Sequence, residues 1–129
     1  MLQYGQDYWV PVSFELSGMR RATHRISDCT IDAQGQTSDA VDLAGFGLIG
    51  LILPTLDACN LTFTVSETVD GTYRTVYVDL GAAFTITAAA GNRAISADDM
   101  APLCAYRWVK VVSSAAQNAP RILHFIVKG

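Results

Sequence analysis

Charge is the first thing this chain lacks. Only 16% of its 129 residues are Asp, Glu, Lys or Arg, against about 25% in an ordinary globular chain. The net balance is −3, which argues against general nucleic-acid binding, since that needs a basic face. Lysine is scarcer still, two against seven arginines. Arginine suits planar, partly buried ion pairs, and a GC-rich genome produces the same bias. Cysteine is sparse and odd in number: Cys29, Cys59 and Cys104. With no Cys-x-x-Cys pair and no histidine at ligand spacing, a disulfide framework or a zinc site is not expected. Small buried thiols, folded in a reducing compartment, are the simpler reading. Long hydrophobic runs are missing too. The longest, "AGFGLIGLILP" at 44–54, falls well short of the ~20 residues of a membrane-spanning helix. Residues 1–8, "MLQYGQDY", have neither the basic start nor the apolar centre of a secretory signal.

What is present is hydrophobic alternation. Half the residues are hydrophobic, and a chain of this length folds as one domain that buries roughly two-thirds of its unfolded surface. Such a composition implies a rich core, or an apolar surface covered by a partner. After an arm at 1–8, "VPVSFEL" (10–16) alternates as a half-buried strand, with Pro11 suiting an edge. Residues 19–36 form an irregular segment holding at most one short strand, 26–31, and a turn at Gly35. Residues 38–45 read as a strand. "GLIGLILP" (47–54) is apolar on both faces, so it is buried on both sides, or on one side plus an interface.

"LTFTVSETVDGTYRTVYVDL" (61–80) reads as a hairpin turning at Asp70-Gly71, because both residues tolerate positive φ. Leu61, Phe63 and Val65 form its core row; Val76, Val78 and Leu80 form one row of the return strand, and Tyr73, Thr75 and Tyr77 the other. A strand at 83–89 points Phe84, Ile86 and Ala88 inward. A turn at 91–92 and a short strand "RAIS" follow. "SADDMAPLCAY" is one helical turn with Ser96 as N-cap and Asp98 and Asp99 at its positive end. "RWVKVVSS" and "RILHFIVKG" are strands on either side of the loop at 114–120. Eight or nine short strands with turn signals about every ten residues predict an all-β, single-domain antiparallel β-sandwich, jelly-roll-like.

Reactive constellations are missing from this pattern. Phosphate loops and a Gly-x-Ser-x-Gly nucleophile turn do not occur. His124 sits mid-strand between Leu123 and Phe125, on the row of Ile122 and Ile126, as a packed or interface histidine. Asp98-Asp99 is explained by the helical turn; Asp28 and Asp32 could approach across a turn, but most Asp residues of a small all-β chain are solvated turn residues. No calcium-loop spacing is present. No enzyme, catalytic residue, cofactor or metal is therefore expected. Two groups remain as partner contacts. Arg20, Arg21, His24 and Arg25 make a local positive patch able to dock on an acidic protein surface. Trp9, Tyr73 and Tyr77 are aromatics of the kind that line carbohydrate sites, whereas Trp108, sharing a face with Val112, reads as core.

The order of pieces over 47–129 — an apolar "GLILP" strand, the "LTFTVS…DGTYRTVY" hairpin, "GNRAIS", an acidic-capped turn, "RWVKVVSS" and the apolar "ILHFIVKG" — resembles small all-β structural proteins of tailed bacteriophages. The first 45 residues carry no such likeness. The resemblance implies a virion protein of the decoration or cement type that binds the major capsid protein and stabilises the head, as a homo-oligomer, a trimer favoured, with no nucleic-acid or membrane partner. A tail or baseplate accessory position is the neighbouring reading. "LTFTVS…DGT" also resembles discoidin-type carbohydrate-binding jelly rolls, so a sugar-binding module stands as the alternative.

Overall fold

A computed structural model of the chain describes residues 24–43, 47–78, 81–87 and 91–128. The arm at 1–8 and the strand expected at 10–16 lie outside them. The described residues form nine strands and one short helix. The strands are β1 (His24–Ile31), β2 (Val41–Asp42), β3 (Leu48–Leu53), β4 (Leu61–Ser66), β5 (Arg74–Thr75), β6 (Thr85–Ile86), β7 (Arg93–Ile95), β8 (Trp108–Ser113) and β9 (Arg121–Lys128). They pair into two antiparallel sheets. One has the order β1-β9-β3-β7; the other runs β2-β8-β4-β5, with β6 also pairing with β4. The fold is the all-β sandwich that the alternation predicts.

The core follows from period-two patterning. Leu123, Phe125 and Val127 of β9 sit beside Ile49, Leu51 and Leu53 of β3, each at most 1% exposed. Leu61 and Phe63 of β4 and Val109 and Val111 of β8 bury the inner face of the second sheet. Burying each such side chain stabilises the fold by roughly 1.5–3 kcal/mol. Phe84 stacks on Phe63 with ring centroids 5.1 Å apart, which holds the β6 segment on the core. Helix α1 (Ala97–Met100) is capped as expected, Ser96 Oγ accepting from the Asp99 amide at 3.3 Å. Its Met100, with Leu103 of the following 3₁₀ turn, is fully buried.

Several local expectations are corrected. The strand in the 19–36 segment is longer than 26–31, beginning at His24 and pairing with β9 along its whole length. Of the strand expected at 38–45, the described part, 38–43, is ladder only at β2, because Ser38 and Asp39 give their polar groups to other strands. Ser38 Oγ accepts from the Val111 amide at 2.9 Å, and Asp39 Oδ1 accepts from the Thr30 amide at 2.7 Å. Of the strand expected at 83–89, Thr85 and Ile86 pair in a ladder, the described stretch ending at 87. Trp108 is not core: on β8 the buried row is Val109, Val111 and Ser113. Trp108 and Val112 lie on the outer face, and the Arg107 guanidinium stands 5.5 Å over the Trp108 ring.

The hairpin exists, but Asp70-Gly71 is not its two-residue turn. Among the described residues only Gln34 and Gly91 have positive φ. Val65 pairs with Arg74 and Thr64 with Thr75, whereas a turn at 70–71 would have placed Val76 across from Val65. The shift preserves facing, since it spans an even number of residues. It puts Val76 beside Phe63, whose carbonyl accepts the Val76 amide at 2.9 Å, and leaves Val76 buried and Val78 53% exposed.

Candidate functional site

Two surfaces stand out. The first is the outer face of the four-stranded sheet. Since Leu123, Phe125 and Val127 point inward, Ile122, His124, Ile126 and Lys128 point outward. Register brings Ile26 opposite Ile126, and Asp28 and Ile52 on either side of His124. Ile26 is 58% exposed, Leu48 55%, Ile122 48% and Ile52 39%. The two-faced apolar strand at 47–54 is thus buried on one side only. Gly50 flattens the middle of this surface: a Cβ there would meet Ile95 O at 3.6 Å and Ile126 O at 3.8 Å, ordinary contacts. His124 Nδ1 lies 2.5 Å from Asp28 Oδ1, so one hydrogen-bonded polar pair is set among aliphatic neighbours.

The second surface is a groove of about 840 Å³ on the other sheet. It runs between the β4–β5 loop and the segment that leads into β8, with Glu67, Thr68, Arg74, Tyr77, Tyr106 and Arg107 on its walls. The loop is packed. The hydroxyls of Ser66 and Thr68 occupy the space a Cβ on Gly71 would need, and Tyr73 Oη donates to Val69 O at 2.9 Å. Lys110 Nζ lies 4.5 Å over the Tyr73 ring. Loss of hydration, and next the Asp70 charge, push the Tyr73 hydroxyl above the ordinary phenol range. Arg107 reaches Asp42 through Nε at 3.3 Å and Nη2 at 3.4 Å.

The residues expected to contact a partner do not gather in one place. Trp9, Arg20 and Arg21 lie outside the described residues. His24 opens β1 opposite Lys128. Arg25 Nη2 donates to the Asp42 carbonyl, so it is committed within the molecule at the edge between the sheets. Tyr73 is tied to its own loop, and Tyr77 is 58% exposed in the groove. Sequence reasoning passed over Tyr106, Arg74 and Glu67 of the groove. A tyrosine directly after a helical turn and before a strand was the available signal for Tyr106.

A third polar feature has a structural role. Gln117 is fully buried in the loop expected at 114–120. Its Oε1 accepts from the Asp57 amide at 2.8 Å and its Nε2 donates to Ser113 Oγ at 3.1 Å. Its backbone bonds to Gln34 and Gly35, and Arg121 bridges it to Asp57, with Nη2 3.1 Å from Oδ1. Among the described residues no group of three or more His, Cys, Asp or Glu side chains could hold a metal ion, and no helix is long and apolar enough to cross a membrane. The chain matches no protein-family model and no curated protein.

Proposed function

We propose that this protein is a non-enzymatic structural component of a tailed-phage virion, a decoration or cement protein that lays the outer face of its four-stranded sheet on the major capsid protein. The observation behind this reading is the aliphatic surface made by Ile26, Leu48, Ile52 and Ile122, which is more than a third exposed at every position. Completing the burial of such half-exposed side chains gains on the order of 1 kcal/mol each. Repeated over many copies on a lattice, contacts of that size become firm attachment through multivalency. The resemblance of residues 47–129 to phage structural proteins points the same way, and a tail or baseplate position would use the same surface.

The test is co-sedimentation with heads assembled from the major capsid protein of the same genome, together with the mass of the free protein in solution. The wild-type chain is expected to pellet saturably with heads. The double variant Ile52→Lys/Ile122→Lys, altered on the outer face alone, should remain in the supernatant with an unchanged circular dichroism spectrum. A wild-type chain that stays in solution, or a double variant that pellets equally well, overturns the proposal.

A further inference from the structure

We propose that the groove between the β4–β5 loop and residues 105–107 is a saccharide site, which holds a neutral oligosaccharide without cleaving it. This inference does not rest on the capsid reading, because it concerns the opposite sheet. A sugar presents an apolar C–H face and a rim of hydroxyl pairs. The groove offers the complement of both. Tyr77 and Tyr106 are 58% and 40% exposed and lie on its walls, giving two aromatic platforms whose hydroxyl ends stay wet. Arg74 and Glu67 flank them. Neither side chain has an ion-pair partner among the described residues. A guanidinium and a carboxylate with free valences are the donor and acceptor that a vicinal diol can use.

The same electrostatics select against an anion. Arg107 lines the groove but its charge is already matched by Asp42 at 3.3 Å, and Glu67 offsets Arg74. A phosphate or sulfate entering here would meet a carboxylate with no surplus of positive charge. Hydrolysis is also disfavoured, because glycosidases commonly use two carboxyl groups and Glu67 is the one carboxylate among the described lining residues. The volume, about 840 Å³, sits in the roughly 300–1,000 Å³ range of ligand sites. Packing around Gly71 and the Tyr73–Val69 hydrogen bond holds the loop wall in place before any ligand arrives, which lowers the ordering cost of binding.

The experiment is an amide NMR titration of the full chain with maltotriose, cellotriose, N,N′,N″-triacetylchitotriose, mannotriose and galactotriose, and with a heparin tetrasaccharide as the anionic contrast. At least one uncharged trisaccharide is expected to shift amides of residues 66–77 and 105–107. Tyr77→Ala and Tyr106→Ala should each weaken that binding about tenfold, the value of one aromatic contact at the upper end of its range, and Tyr→Phe at the same positions should keep it. Ile52→Lys/Ile122→Lys should leave it unchanged, so failure here and failure of the capsid reading are told apart. The remaining amides serve as the check that each variant is folded. No shift with any uncharged probe overturns the proposal. So does binding confined to the heparin tetrasaccharide, lost in Arg74→Gln and retained in Tyr106→Ala.

Discussion

Cys29 shows what a single position can report. Its thiol is 1% exposed on β1, and burial pushes its pKa up from 9.0 to about 12. The Ser38 hydrogen bond opposes the rise, and the charges of Asp39 and Asp28 add to it. The unfolded chain releases this proton near its ordinary value, while the folded chain keeps it up to about 12. Between those limits the native state binds more protons than the unfolded one, so stability falls as pH rises, by up to about 1.4 kcal/mol per unit. Urea unfolding across this alkaline window should show the decline, and Cys29→Ala should flatten it while lowering stability at neutral pH through the cavity it leaves. Cys104 is exposed and Cys59 buried. A thiol reagent on the native protein should therefore modify Cys104 first and reach Cys29 only on unfolding. Sparse, scattered cysteines imply buried thiols; Cys104, the C-cap of the 3₁₀ turn, is the exposed exception.

At the scale of elements, the β4–β5 loop and the Gln117 loop are held by side chains. A Cβ at Gly71 has no room between Ser66 and Thr68, so Gly71→Ala should cost about 1–3 kcal/mol, the usual price of overpacking, and should broaden or shift the Tyr73 ring resonances by NMR. Gln117→Ala removes the acceptor of the Asp57 amide and the donor to Ser113. Buried groups left unsatisfied cost about 1–3 kcal/mol each, so a drop of that order or more in urea stability is expected. The strands themselves were readable because alternation is local: β3, β4, β8 and β9 lie within a residue or two of their expected limits. The turn at Asp70-Gly71 was misplaced because its dipeptide signal says which residues can turn tightly. It does not weigh a longer loop stitched by Ser66, Thr68 and Tyr73 that lets Val76 reach Phe63.

The whole molecule is joined across its sheets by residues 37–39. The Ser38 amide donates to the Val111 carbonyl of one sheet while Ser38 Oγ accepts from the Val111 amide, and Asp39 caps the Thr30 amide of the other. With one continuous core between the sheets, unfolding should be a single cooperative event. Tryptophan fluorescence and far-ultraviolet circular dichroism should give coincident urea transitions, and Ser38→Ala should move both to lower urea together. Separate transitions for the two signals would contradict this. The exposed aliphatic face belongs to this scale as well. Ile122 and Ile126 were visible as a row with His124, but Ile26, Ile52 and Leu48 join them only through register across three strands.

By itself the sequence determined the sandwich class, the inward rows of its longer strands and the capped helical turn. These depend on neighbours two to four residues apart, where side-chain period and backbone geometry act directly. Tertiary structure alone decided which outward rows coalesce into an apolar face, that Tyr77 and Tyr106 share a groove, and that Arg25 and Arg107 both close on Asp42. Those outcomes depend on pairing register and on contacts between residues tens of positions apart, and no local pattern encodes how far one strand slides against the next.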